Sequence, residues 1–177
     1  MKPDTKLIGL HPFGTQFRLD ESTAAFSGFG GPKAMVESSE GGANMLMGIG
    51  INTGGYNYRA VGVKWMANAD SYMNDVKFVG GHGGLWKPKP GVEEPRGRWN
   101  RPARISSPDN PVAASGMDLA WDNQYWSLWV TNNGGGTFKD IWTASTYATN
   151  GFYANNTSTP GRIYAMSIEH HVRLSLI

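Results

Sequence analysis

Carboxyl side chains are the first candidates for chemistry in this sequence. Glu169 follows a strand-like apolar segment and adjoins His170, which could orient the carboxyl group or tune its proton affinity. The candidate second carboxyls are Asp118, Asp122 and Asp140. Glycoside hydrolysis uses two such groups, about 5 Å apart for retention and roughly 6.5–9.5 Å for inversion. These residues therefore form a candidate catalytic set. The alternative roles are a solvated charge at a strand end for Glu169 and turn residues for the aspartates.

Aromatic side chains are concentrated in the same part of the chain, at 121–153. Sugar rings pack their C–H faces on aromatic rings, while amide and carboxyl side chains bond the hydroxyls, so this mixture is typical of a saccharide groove; aromatic cores are the alternative. The predicted substrate-binding residues are Trp121, Tyr125, Trp129 and Trp142, with His82 and His170 as flanking groups. Strand periodicity predicts that Trp126 points inward and Trp129 outward.

Metal and phosphate chemistry are not predicted. The neighbouring His170 and His171 would face opposite sides of a strand, and no HxH or HExxH spacing or cysteine is present. The glycine runs at 80–84 and 134–136 lack the frames of phosphate-binding loops and are better explained as tight turns. We therefore expect no metal and no cofactor.

Composition predicts one domain spanning residues 1–177. The chain is 40% hydrophobic, contains 24 glycines and carries a formal net charge of +2. This charge is too small and too dispersed to predict a nucleic-acid partner. No apolar run approaches the ~18 residues of a membrane helix, so no membrane partner is expected either.

Short apolar or alternating segments bounded by Gly, Asn, Asp or Pro predict an all-β fold with little helix. The proline-rich stretch 87–123 has little alternation and is predicted to be a long surface loop. The predicted strands are Lys6–Leu10, Gln16–Leu19, Met35–Ser38, Met45–Ile51, Ala60–Trp65, Ser71–Val79, Ser127–Thr131, Gly136–Thr143, Gly151–Ala154 and Arg162–Ile168.

Two of these strands contain similar tetrapeptides, Met73–Val76 and Phe138–Ile141. Each consists of an apolar residue, a polar residue, Asp and an aliphatic residue. In a stack of coils, such strands pile their inward side chains on the next rung, and an Asp suits the corner between strands. Corner positions are therefore the expected structural role of Asp75 and Asp140.

Several longer motifs resemble the large secreted pectate-lyase-like β-helix proteins of bacteria, which are distantly similar to the β-1,3-glucanases of glycoside hydrolase family 55. The motifs are Pro3–Pro12, Arg59–Val61, Lys64–Met66, Gly80–Gly83, Gly134–Trp142, Ser158–Tyr164 and Ser167–Arg173. The resemblance implies a short right-handed parallel β-helix and a carbohydrate-related role. Because those proteins are several times longer, it also implies that this chain is a fragment.

The resemblance leaves two functions open. One is a secreted glycoside hydrolase, or its remnant, that acts on a β-glucan-like polysaccharide through Glu169 with Asp140 or Asp122. The other is a noncatalytic carbohydrate-binding or structural module. In either case a β-helix cut from a longer one would expose strand edges and apolar rungs, so we expect a homo-oligomer.

Overall fold

The computed structural model describes residues 1–20, 22–28, 30–55, 57–80, 124–143 and 148–169, and the backbone of 174–176. In this part of the chain the regular secondary structure consists of β-strands alone. They are β1 (Lys6–Ile8), β2 (Gln16–Arg18), β3 (Lys33–Glu37), β4 (Met45–Asn52), β5 (Ala60–Trp65), β6 (Tyr72–Val79), β7 (Trp126–Val130), β8 (Gly136–Trp142), β9 (Asn150–Ala154), β10 (Gly161–Ser167) and β11 (Leu174–Leu176). The predicted loop 87–123 lies outside the described residues.

The strands form two parallel sheets that the chain visits in alternation from β3 onward. Sheet A has the order β1–β4–β6–β8–β10, with β2 also paired to β4, and sheet B has the order β3–β5–β7–β9–β11. Most strand pairs that the segment 81–123 does not separate join residues 24 to 27 positions apart, such as Gly136 with Gly161. The exceptions are β1 and β2, which pair with β4 across 39 and 34 positions. The predicted all-β class is therefore confirmed, with parallel strands.

The hydrophobic core lies between the inner faces of the two sheets. Phe138 of β8 contacts Trp65 of β5 and Phe152 of β9, each with ring centroids 6.2 Å apart and in edge-on geometry. The Trp65 indole nitrogen donates a hydrogen bond to the Gly135 carbonyl at 3.0 Å, which satisfies its buried polar group. Leu46, Ile51, Val63, Met73, Val76, Phe78, Leu128 and Ile141 complete most of the buried cluster.

Sheet A bends at one level in four successive strands. Gly48, Asp75, Asp140 and Ala165 have φ of 64°, 51°, 51° and 54°. The register pairs on either side of them place these four residues next to one another across the sheet. A residue with a left-handed φ changes the direction of the strand. Side chains that face the core are therefore found both before and after each bend. Both aspartates therefore lie at a bend inside a strand, whereas the sequence predicted a corner between strands.

The segment 9–15 crosses the outer face of sheet A. A side chain on Gly48 would collide with the Gly9 carbonyl, and one on Gly50 would collide with the Pro12 carbonyl. Glycine at these two positions therefore allows the segment to lie directly on β4. This packing places Phe13 above β6 and β8.

Candidate functional site

The predicted site residues divide between the two sheets. Trp129 lies on β7 of sheet B and Tyr125 directly precedes that strand, whereas Asp140 and Trp142 lie on β8 of sheet A and Glu169 follows β10. Because the inner faces of the sheets share one core, outward side chains of the two sheets lie on different surfaces. The structure therefore provides two clusters instead of the single groove expected from sequence. The remaining predicted residues, Trp121, Asp122, His82 and His170, lie outside the described residues, as does Asp118.

The first surface, here called the sheet B cluster, consists of Tyr125, Trp126, Trp129 and Tyr153. The Trp126 ring lies 4.4 Å from Tyr153 at an interplanar angle of 31°, and 4.8 Å from Trp129. Tyr125 contacts the same indole edge-on at 5.4 Å. All four side chains are half-buried. They form a continuous aromatic surface on β7 and β9.

The inward orientation predicted for Trp126 is wrong. Both Ser127 and Leu128 are buried, so the strict alternation of β7 is interrupted between the two tryptophans. Trp126 consequently reaches the same side as Trp129 and contacts that ring directly. The outward position predicted for Trp129 agrees with the structure. Period-two reasoning fails here because two neighbouring residues of β7, Ser127 and Leu128, are both buried.

Polar groups fix the sheet B cluster and border it. The Trp129 indole nitrogen donates to Asn155 Oδ1 at 2.7 Å, and the Tyr125 hydroxyl donates to the Gly30 carbonyl at 2.8 Å. Lys64 Nζ lies 5.1 Å from the centre of the Trp129 ring, within cation–π distance. The aromatic surface is thus held on strands and lies beside an amide and an ammonium group.

The second surface, here called the Lys77 cluster, consists of Phe13, Lys77, Trp142, Ser167 and Glu169. Lys77, Trp142 and Ser167 occupy one register level on β6, β8 and β10. Lys77 Nζ lies 3.6 Å from the centre of the Phe13 ring and 3.8 Å from that of Trp142. The ammonium is therefore held between two aromatic rings.

Glu169 is fixed at the edge of the Lys77 cluster. Its Oε1 accepts hydrogen bonds from the Ser167 hydroxyl at 2.7 Å and from the Trp142 indole at 3.4 Å. Its backbone nitrogen donates to Thr143 Oγ1 at 3.2 Å. The carboxylate is exposed and accepts both of these hydrogen bonds.

At this surface the surroundings of Lys77 shift its pKa. Burial lowers the pKa of Lys77 from its ordinary value near 10.5, because desolvation disfavours the charged amine. The nearby carboxylate of Glu169 acts in the opposite direction and raises that pKa. Glu169 and Lys77 are therefore electrostatically coupled across the outer face of sheet A.

Asp140 is offset from Glu169. Its carboxylate forms an ion pair with Lys139, and both side chains are about half exposed. The register places Asp140 opposite Ala165, four residues before Glu169, which corresponds to roughly 13 Å of extended strand. The hydrogen bond to Asp140 also raises the pKa of Lys139. This position favours a structural role of Asp140 at the bend of β8 over a paired role with Glu169.

Lys77 and Phe13 were missed by reasoning from the sequence. Lys77 stands between Val76 and Phe78 in an otherwise buried strand half, and Lys64 stands between Val63 and Trp65 in the same way. A single cation in an apolar strand signals a side chain with an unusual environment. Phe13 had no such signal, because its position depends on the path of segment 9–15.

Neither the described side chains nor similarity to known proteins assigns a function to this chain. The described residues contain no group of three or more His, Asp or Glu placed to bind a metal, and no helix among them is long and apolar enough to span a membrane. No protein-family model, no curated protein and no solved structure matches the chain. Function must therefore be inferred from the two surfaces themselves.

Proposed function

We propose that this chain is a noncatalytic carbohydrate-binding module that holds a β-glucan-like polysaccharide on the sheet B cluster. The supporting observation is the contact of Trp126 with both Tyr153 and Trp129, at 4.4 Å and 4.8 Å. It creates an aromatic surface wider than one ring, with the Asn155 amide and the Lys64 ammonium nearby. Sugar rings pack on such surfaces, while amide and ammonium groups bond their hydroxyls.

The proposed architecture is a short right-handed parallel β-helix. Alternation of the chain between two sheets, with each strand paired to the one a coil earlier, supports this proposal. Right-handedness is expected because crossover connections between parallel strands are right-handed in about 98% of cases. A stack of this kind presents its side chains in rows along the axis, which suits an extended polysaccharide and a secreted, extracellular setting.

Rigidity of the surface supports binding without a large ordering cost. The aromatic side chains belong to or adjoin β7 and β9, and two of them are anchored by hydrogen bonds to Asn155 and Gly30. Side chains that are already fixed lose little rotamer freedom when a ligand binds.

Titration calorimetry with β-1,3-, β-1,4- and mixed-linkage gluco-oligosaccharides tests this proposal. We expect binding without release of reducing sugar, and at least tenfold weaker affinity for Trp129→Ala. Tyr164→Ala is the matched control, because this exposed aromatic residue lies on β10 of the other sheet. Equal affinity of the wild type and Trp129→Ala would remove the sheet B cluster as the binding surface.

A glycoside hydrolase is the second candidate, on the strength of the exposed Glu169 carboxylate beside the exposed Trp142. In this function Glu169 donates a proton to the leaving oxygen, and a second carboxyl activates water or attacks the anomeric carbon. Reducing-sugar release from polysaccharides that Glu169→Gln abolishes, with affinity unchanged, would establish hydrolysis. Absence of release by the wild type leaves the binding function.

A further inference from the structure

The Lys77 ammonium has an unusual environment for a buried cation. Its side chain is 8% exposed, and its close neighbours at Nζ are the faces of Phe13 and Trp142. Within the described residues Nζ donates no hydrogen bond and forms no direct ion pair. A ring face attracts the charge but does not replace a hydrogen-bond acceptor, so the N–H donors are unsatisfied by the protein.

This ammonium is still accessible from solvent. Among the described residues, Asn74 Oδ1 is the one buried side-chain polar atom that is both sealed from solvent and without a hydrogen-bond partner. Lys77 Nζ lacks such a partner as well but is not sealed. A ligand atom therefore has a route to its donors.

We infer that the Lys77 cluster is a second ligand site, and that it takes the vicinal hydroxyls of a neutral sugar ring. One hydroxyl oxygen accepts from Lys77 Nζ, and its neighbour donates to the Glu169 carboxylate. A hydroxyl group can both accept and donate a hydrogen bond, whereas an apolar ligand can do neither. The inference rests on the proposed carbohydrate function for its ligand class, but it concerns a different surface.

Exposed aromatic surface is available for the ring of this ligand. Trp142 is 39% exposed and Phe13 is 55% exposed, and their ring centroids lie 6.0 Å apart in edge-on geometry. Sugar C–H groups pack on the exposed parts of these rings, beside the faces that Lys77 Nζ occupies, while the hydroxyls reach the charged groups. The site therefore combines an apolar platform with a donor and an acceptor.

Charge balance favours a neutral sugar over a uronate. Lys77 contributes one positive charge and Glu169 one negative charge, and the carboxylate lies close enough to influence the lysine electrostatically. A uronate would gain attraction from the ammonium but would meet repulsion from Glu169 in a partly desolvated site.

The test is the stoichiometry of binding, measured by titration calorimetry with a neutral gluco-hexasaccharide and with an oligogalacturonate. Lys77→Met removes the donors but keeps an apolar stem between the rings; Lys139→Met is the matched control on the same sheet. We expect two sites in the wild type and the control, and loss of one site, or at least tenfold weaker binding there, in Lys77→Met. Lys77→Arg, which keeps charge and donors, should retain both sites.

The outcomes separate this inference from the proposed function. If Lys77→Met keeps both sites, the second site is refuted, whatever happens to the sheet B cluster. If Trp129→Ala keeps both sites while Lys77→Met loses one, the sheet B proposal fails and the Lys77 site stands. Binding of the oligogalacturonate alone would overturn the neutral ligand class. Thermal unfolding of each variant identifies loss of binding that results from loss of folding.

Discussion

Asp75 of β6 and Asp140 of β8 lie next to each other at the bend of sheet A, and both have a φ of 51°. The pairs Asn74–Lys139 and Val76–Ile141 flank them in register. Aspartate tolerates the left-handed region better than most side chains, because its short polar group bonds locally. The similarity of the two tetrapeptides thus corresponds to a bend that β6 and β8 repeat at the same level.

Substitutions of Asp140 should change the free energy of unfolding through the backbone conformation more than through loss of the carboxylate. Asp140→Gly should leave the free energy of unfolding within about 0.5 kcal/mol of the wild type, because glycine adopts this φ without strain. Asp140→Val should lower it by about 2 kcal/mol, because a β-branched residue is disfavoured there. Urea denaturation measures both. Loss of polysaccharide turnover in a well-folded Asp140→Asn would instead assign the carboxylate a catalytic role.

Ala165 occupies the same bend on β10 with a φ of 54°, without the polar side chain that suits it. Ala165→Gly should therefore raise the free energy of unfolding by about 1 kcal/mol. Ala154→Gly is the control: this residue of β9 packs against the core, so the change should lower stability. Thermal unfolding followed by circular dichroism gives both values. A destabilised Ala165→Gly would show that the bend is not strained by alanine.

Much of the fold was predictable because strand signals are local. Each of the ten predicted strands overlaps one of β1 to β10, and glycine or asparagine marks many of the turns between them. The strand β11 was missed, because Leu174–Leu176 is short and has no turn signal after it. The pairing of β7 with β5 and β9 was not predicted, because strand signals do not specify which strands pair.

The site was less predictable, because it depends on which sheet each strand joins. Trp129 and Trp142 are close in sequence, yet successive strands of one coil go to different sheets, so the two residues lie on separate surfaces. Conversely, Phe13 and Lys77 are distant in sequence but in contact. Alternation within a strand predicts the face of a residue, and it fails where two neighbours are both buried, as Ser127 and Leu128 are beside Trp126.

The pH dependence of stability should identify the lowered pKa of Lys77. Between the folded-state pKa and the unfolded value near 10.5, the unfolded chain binds more protons at this lysine than the folded chain does. The free energy of unfolding therefore rises with pH across that window. Lys77→Met should lose this rise, measured as the difference from wild type in urea denaturation between pH 8 and about 10.5.

Lys139 provides a control of opposite sign. Its hydrogen bond to Asp140 raises the pKa of Lys139, so the folded chain retains the proton longer than the unfolded chain. The stabilising contribution of Lys139 is complete below the unfolded pKa and is lost as pH rises through the folded value. Lys139→Met should therefore differ from wild type in the opposite direction. Identical pH profiles for the two variants would contradict at least one of the two assignments.

The exposed strand β10 provides the basis for our proposal that the chain self-associates. Ile163 is the register partner of the core residue Phe138, yet it is 48% exposed, and the next residue, Tyr164, is 54% exposed. β10 is the last strand of sheet A in the described part of the chain, so one row of its backbone groups is available for pairing. A second copy that pairs there covers apolar surface as well.

Light scattering over a range of concentrations should show a dimer or larger assembly for the wild type. Ile163→Lys should shift the population to monomer, because a charge at this inward position opposes packing of another apolar rung while the fold of the earlier strands is retained. Arg162→Lys keeps the charge on the same exposed strand and should associate like the wild type. A wild type that is monomeric at every concentration would refute the proposal. An Ile163→Lys variant that associates as strongly as wild type would place the contact elsewhere than β10.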